Sequence, residues 1–511
     1  MARYVIARRV ADQEPTRARL KRATLSTLRR QVASFGSIID TGVKAKADEI
    51  AETITLEGDA ADVEAKRKEL PENFIIETEK LRRPGVFHPV LSSTRSPEEF
   101  PIGLGATAEV NVSCAGKPLP AAQIVMTSIA YRGGFATTTF GDTDENGRAL
   151  LPFNPSVWMP ASVTILPRGR AWPVSSRIFG RRLNIAVPPL PREGPLAWWH
   201  RVMGLNRFSE SLGEGIRVGV VDTGVGPHPY LSHVRSAGAF KNGRRLQNPG
   251  SSNDVAEHGT HVAGLIGARP PSGSKDFAGI APGVDLVAAR IYQGGGPPTQ
   301  ESGTTTNGDV AQAILTLARD EECDLINLSS GGPMRSSIEA DRITAARNRG
   351  TLVICSVGNG SGPPVLYPAA EPEAVAVSAL GPTGGIPFGV LDNVAYPMQW
   401  DRYSAAGFFA PAFISVGPET KCTGPGVGII STVPARPSDE APYVAMSGTS
   451  MGAPAVTGAL AAILSQDSTY LSLPRTRERS SYALTLLWRA IRTLDLNFQY
   501  QGFGMPVIQG S

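Results

Sequence analysis

The sequence predicts an α/β protein with a mostly parallel sheet, preceded by a small α+β unit and a small β-sandwich. Three observations carry this. From Leu196 onward, apolar strand-like runs ending in Gly-, Ser- or Asp-rich loops alternate with amphipathic helical segments, the pattern of a sheet covered on both faces. Between about 101 and 188, short alternating runs are separated by turn residues. Before residue 84, the segments read strand, helix, strand, strand, helix, strand. A chain of 511 residues has room for two or three domains, and an apolar content of 41% is enough to give them cores.

In the front unit, residues 1–84, "RYVIARR" (Arg3–Arg9) reads as a strand. "TLSTLRRQVASFG" (Thr24–Gly36) spaces Leu25, Leu28, Val32 and Phe35 as one helical face. "SIID" is a short strand, and "EIAETITLEG" (Glu49–Gly58) alternates. Asp59–Pro71 reads as a helix with Asp as N-cap and Pro as stop. Asn73–Leu81 closes the unit as a strand, which completes a split βαβ, ferredoxin-like order.

Residues 85–104 form a linker with several Pro and Ser. Residues 105–188 follow as the β-sandwich, with "ATAEVNVSCAG", "AAQIVMTSIAY", "GFATTTFGDT", "RALLPF" and "SVTILPR" as strands and "DENG" as a turn. Their texture resembles bacterial transthyretin-like or carboxypeptidase-regulatory-like modules. "VPPLPREGP" (Val187–Pro195) leads into the α/β region, 195–511. There "GIRVGVVDTG", "VDLVAARIY", "CDLINLSSGG", "GTLVICSVGNG" and "EAVAVSAL" are strands, with "NGDVAQAILTLARDE" and "SIEADRITAARNRG" as helices between them.

A formal charge of +4 gives no case for nucleic acid or an anionic membrane as partner. Basic runs near the start and at Lys66–Leu70 read as solvated helix faces. No run of eighteen apolar residues exists, and the chain is charged from its third residue, unlike a secretory signal. Cys114, Cys323, Cys355 and Cys422 are far apart and lack metal-type spacing, and Cys323 and Cys355 sit in apolar runs. A cytoplasmic protein with reduced thiols is expected.

Three loops carry chemistry. Asp222 follows an apolar strand in "VGVVDTGVG". His258 starts a helix in "EHGTHVAGLIGA", and Ser450 starts another in "SGTSMGAPAVTGALAAIL". A serine hydroxyl needs an imidazole to take its proton, and the imidazole needs a carboxylate to fix its tautomer. Gly448, Gly452 and Ala453 leave space around Ser450, and a helix N-terminus brings backbone N–H groups toward a developing oxyanion. Asn359, in "CSVGNGSG", adds a side-chain amide donor.

With those blocks in that order, the region 195–511 resembles the subtilisin-like serine proteases, the subtilases or peptidase family S8. "VVDTGV", "HGTHVAGLIG" and "GTSMGAPAVTGALA" match the three catalytic blocks; "INLSSGG" and "SVGNG" match the substrate-lining and oxyanion-hole segments. The resemblance implies a serine endopeptidase acting on protein or peptide substrates, with Asp222, His258 and Ser450 as triad and Asn359 at the oxyanion. It implies substrate-binding walls at Ser329, Ser330, Gly331, Ser356 and Gly358. Leu366 either closes the pocket base, favouring medium apolar residues, or faces the core. No acidic residue lies in these stretches, so a preference for paired basic sites is not expected. By the same resemblance the front unit is a propeptide that acts as the protein's own inhibitor, with "KLRRPG" (Lys80–Gly85) and "PPLPREGP" (Pro188–Pro195) as candidate cleavage sites. No cofactor is required, and no acidic loop marks the structural calcium that many members bind.

Ser447 and Thr449 read as capping and loop residues. His261 reads as packed structure, His228 and His233 as surface-loop residues, and Asp254 and Glu257 as loop solvation. Two alternatives stand beside hydrolysis. One is an acyl-transferring ligase or cyclase, for which Gly384–Gly417 is the candidate lid. The other is a regulated binding protein acting on a protein partner through the β module.

Overall fold

The computed structural model describes residues 2–10, 37–38, 53–67, 74–84, 105–132, 135–169, 171–178, 180, 182–293, 303–436 and 441–509. The expected helix at Thr24–Gly36 and the linker 85–104 lie outside them.

The expected strands of the last region form one sheet. Arg235–Lys241, Asp285–Arg290, Arg217–Asp222, Leu325–Leu328, Leu352–Ser356, Val375–Pro382 and Cys422–Pro425 lie side by side in parallel. Antiparallel strands flank them: Arg244–Leu246 at one edge, and Phe408–Phe409 with Tyr403–Ser404 at the other. Every residue of Leu325–Leu328 and Leu352–Ser356 is buried, because helices cover both faces. On one face Val310, Ile314 and Ile343, from helices Asn307–Arg319 and Ser337–Asn348, meet Val221, Ile326 and Val353. On the other, Val262, Val456 and Leu487 meet Val218, Val220 and Ile354. They come from helices His258–Gly267, Thr449–Ser465 and Arg477–Ala490. Successive valines of one strand thus serve opposite layers, as a two-residue period requires.

In the front unit, Ala2–Arg8 is a central strand between Thr53–Gly58 and Phe74–Thr78, with Ser37–Ile38 beyond Thr53–Gly58. All pairs are antiparallel. The helix Ala60–Arg67 begins as expected, with Asp59 Oδ1 accepting from Ala61 N at 2.9 Å. Tyr4, Ile6, Leu56, Phe74 and Ile76 pack with Val63 of that helix. The other sheet face, with Val5, Ala7 and Ile75, packs on Ala311 and Ile338 of the two helices named above. Glu77 joins those helices at their N-termini. Its carboxylate accepts from Asn307 Nδ2 at 2.7 Å, from Ser337 N at 3.0 Å and from the Ser336 hydroxyl.

Beyond Glu77 the chain enters the α/β region itself. Leu81–Pro84 is the middle strand of a three-stranded sheet, paired antiparallel with Thr305–Thr306 and with Ser330–Gly331.

The middle region forms two four-stranded sheets whose apolar sides share a cluster. Ala106–Cys114 pairs with Arg148–Phe153, with Arg182–Val187 and with Lys117–Pro118. Gln123–Ala130 pairs with Ala136–Asp142 and Trp158–Leu166, and the last of these with Val174–Arg177. This core does not close on itself. It runs into that of the α/β region, with Ile124, Val163 and Trp172 in the same buried cluster as Val390, Ile429 and Met451. Leu391 N donates to Pro173 O at 2.7 Å across the junction. The stretch Gly384–Gly417 forms short turns and an edge hairpin on the large sheet beside this junction, which gives the acyl-transfer reading no support.

Candidate active site

Asp222 ends its strand and is almost fully buried. Its Oδ1 accepts from His258 Nδ1 at 2.6 Å and from Thr223 N at 2.7 Å. An ionised carboxylate only accepts, so the imidazole proton lies on Nδ1 and the lone pair on Nε2. Nε2 is buried and has no hydrogen-bond partner among the described residues. Burial works to lower the His258 pKa. The charge and hydrogen bond of Asp222, with Asp254 behind them, outweigh burial and leave it raised.

Sequence reasoning missed Asp254. Read as loop solvation, it instead ties the aspartate loop to the histidine helix. Its carboxylate accepts from Thr223 Oγ1 at 2.7 Å, Ala256 N at 2.9 Å, Thr260 N at 2.8 Å and Thr260 Oγ1 at 2.5 Å. Ala256 and Thr260 are near it in sequence, but nothing in "SSNDVAEHGT" separates a structural Asp from a solvated one. Gly259 lets the two segments touch: a Cβ there would lie 2.1 Å from Gly224 O and 3.0 Å from Asp222 Cβ. Glu257 is also more than solvation. It sits at φ 68°, just before the helix, and pairs with Arg168 of the middle region at 2.8 Å.

Ser450 is the second residue of helix Thr449–Ser465 and is buried. Pro454 lacks the N–H that would close the helical bond to the Ser450 carbonyl. Ser329 Oγ supplies a donor instead, at 3.2 Å, and Ser450 Oγ donates to Ser329 O at 3.3 Å. The hydroxyl is therefore turned toward Ser329, and no hydrogen bond joins it to His258 here. Catalytic hydrogen bonds commonly tighten only when substrate is bound. Asn359 Oδ1 accepts from Thr449 N and Thr449 Oγ1, each at 3.0 Å, which fixes its amide beside Ser450. Thr449 also accepts from Gly358 N at 3.2 Å, and Ser447 bonds Asp392 and Gly428 N, the structural parts expected of both.

The expected wall residues gather on one groove. Ser330 and Gly331 pair with Pro84 and Arg83. Leu366 borders both walls: a Cβ on Gly331 would lie 3.2 Å from its Cβ, and one on Gly358 2.6 Å from its Cδ1. Ser356 is buried at the end of its strand. None of those wall stretches holds an acidic residue, but one lies just beyond them. Glu339, on the helix beyond "SSGG", directs its carboxylate to Arg82 of the groove strand at 2.7 Å. The stretches scanned in sequence ended before it.

His261 is packed structure, as read. It is buried with Nε2 at 3.0 Å from Ile429 O, and burial drives its pKa down to about 3. His228 corrects its reading: it is buried, and Nδ1 accepts from Tyr230 N at 3.1 Å to cap a short turn. Among the described residues no three His, Cys, Asp or Glu side chains gather where they could hold a metal ion.

The model of the Subtilase family, Peptidase_S8, matches residues 213–490. Subtilisin DY of Bacillus licheniformis is 29% identical over 280 residues, 54% of this chain and 85% of that protein. Subtilisin Savinase of Lederbergia lenta is 30% identical over 251 residues, 49% of this chain and 77% of that one. A thermostable alkaline protease of Halalkalibacterium halodurans is 30% identical over 276 residues, 54% of this chain and 64% of that one.

Proposed function

The chain belongs to the subtilase family of serine endopeptidases, and on that premise we propose that it is a precursor held inactive by its own front unit. Asp222, His258 and Ser450 form the triad of this reading. The 2.6 Å contact between His258 Nδ1 and Asp222 carries it, because that contact holds the proton on Nδ1 and leaves Nε2 as the base.

The steps follow from these groups. Ser450 Oγ attacks the scissile carbonyl carbon and its proton passes to His258 Nε2. The carbonyl oxygen becomes an oxyanion held by Asn359 Nδ2 and by backbone N–H at the start of helix Thr449–Ser465. His258 returns the proton to the leaving amine, and an acyl-enzyme remains. Water, deprotonated by His258, then releases the acid and restores Ser450.

Inhibition is supported by Leu81–Pro84, which lies as a strand against Ser330–Gly331, and by Glu77 at two helix N-termini. The observed strand order of the front unit supports the ferredoxin-like reading, and the two sheets of the middle region support the sandwich. We take 1–84, 105–188 and 195–511 as the units. A peptide continuing in the register Ser330↔Pro84 sets its next residue opposite Ser329, so self-cleavage is expected after Gly85. A reducing compartment is part of the proposal, supported by four cysteines that are all unpaired.

The test is intact mass over time for wild type and Ser450→Ala, each with a fluorophosphonate probe. Adduct and a cut after Gly85 are expected in wild type alone. Equal labelling of both proteins, or none in wild type even when Arg82→Ala loosens the groove strand, overturns the reading.

A further inference from the structure

Arg82 is fully buried in the middle of the groove. Its guanidinium meets Glu339 in a forked pair, Nε to Oε1 at 3.0 Å and Nη2 to Oε2 at 2.7 Å. Nη2 also donates to Met334 O at 3.0 Å. Both side chains are sealed, at 0% and 1% exposure, so this is not a surface ion pair that solvent would screen. Gly332 forms the near wall: a Cβ there would stand 2.9 Å from Arg82 Nη1.

Glu339 stands in the first turn of helix Ser337–Asn348, three residues after its N-cap Ser336. In that position a Glu commonly reaches back to the N-cap backbone to close a capping box. Here only half of the box exists: Ser336 Oγ accepts from Glu339 N at 3.2 Å, and the carboxylate turns into the groove. A buried carboxylate facing a cleft needs a cation, and its two oxygens match the planar fork of an arginine better than the point charge of a lysine.

The register gives the position. Pro84 pairs with Ser330 and Arg83 with Gly331. One step further sets the next residue of a bound peptide opposite Ser329, whose carbonyl accepts from Ser450 Oγ. Counted back from that residue, Pro84 is second, Arg83 third and Arg82 fourth. We propose that the groove selects peptide substrates with arginine at the fourth residue on the acyl side of the cleaved bond, held by Glu339 in a closed acidic socket. This rests on the endopeptidase reading above and names its substrate class. The front unit then inhibits by presenting the same arginine that a substrate presents.

The test is hydrolysis of fluorogenic peptides that differ only at that fourth residue, Arg, Lys or Leu. The enzyme is the full chain carrying Arg82→Ala, so that its own arginine no longer fills the socket. The fluorophosphonate-reactive fraction calibrates every sample. The Arg peptide is expected to exceed the Leu peptide in kcat/KM by about 10,000-fold, the scale at which a site built for a polar group rejects an analogue that lacks it. Lys is expected between them. Glu339→Gln in the same background is expected to bring Arg and Leu near parity while labelling at Ser450 persists. Parity before Glu339 is changed overturns the proposal, as does an Arg preference that survives the change, or labelling without cleavage of the Arg peptide. Should Glu339→Gln fail to fold, the Arg-to-Leu ratio of the Arg82→Ala enzyme decides alone. Loss of labelling in wild type and Arg82→Ala alike would instead sink the endopeptidase reading, and the proposal with it.

Discussion

Ser329 and Ser450 hold each other twice: each hydroxyl donates to the other's backbone carbonyl, at 3.2 and 3.3 Å. One bond replaces what Pro454 denies the helix, and the other parks the nucleophile against the groove. Ser329→Ala removes a donor from a buried carbonyl, at a cost of about 1–3 kcal/mol. A lower denaturation midpoint is expected, with the probe still reacting at Ser450. Unchanged stability would show that the Ser450 carbonyl has another donor.

In the proposed triad His258 must be neutral to accept the serine proton, and its pKa is raised by Asp222 and Asp254 against the effect of burial. Activity therefore rises with pH through a value above 6.5, the ordinary value for histidine. Asp254→Asn removes a negative charge that favours the imidazolium, so the rising limb moves to lower pH. A pH profile of kcat/KM for the two proteins checks this, and a limb that stays in place rules out the electrostatic part of Asp254.

Asn359 is oriented by Thr449 and takes no part in the triad. Asn359→Leu removes the proposed oxyanion donor, and a loss of roughly 100- to 1000-fold in kcat is expected with KM little changed. A matching rise in KM would make Asn359 a ground-state binding residue.

Glu77 bonds the N-termini of two helices through its carboxylate. Glu77→Ala loses charge-assisted hydrogen bonds of about 1.5–3 kcal/mol each. In the proposed precursor this weakens the hold of the front unit, and probe labelling of Ser450 in the full chain is expected to speed up at least tenfold. Labelling at the wild-type rate would remove Glu77 from the inhibitory contact.

Trp172 belongs to the core shared by the middle and α/β regions, and a Cβ on Gly428 would stand 3.3 Å from its ring. Trp172→Ala is expected to cost about 3–5 kcal/mol. Denaturant unfolding should show one weakened transition, since one core joins both regions. Loss confined to a separate early transition would mean that the middle region folds independently.

The sequence by itself determined the elements and the chemistry they carry. Short continuous apolar runs ending in Gly-, Ser- or Asp-rich loops marked Arg217–Asp222 and Leu352–Ser356 as buried strands. The Asp, His and Ser blocks fell at strand ends and helix starts, where a side chain is fixed and reachable. These are short-window properties: periodicity, caps, and small residues beside a polar one. The tertiary structure alone decided which distant groups meet. Ser329 reaches Ser450 across 121 positions, and Arg82 reaches Glu339 across 257. Glu339 reads in sequence as an ordinary first-turn Glu, and only the fold turns its carboxylate into the groove. Asp254 and His228 were misread for a related reason. A polar side chain in a loop has the same local signature whether it faces water or closes a buried bond, and burial is set by the packing of the whole chain.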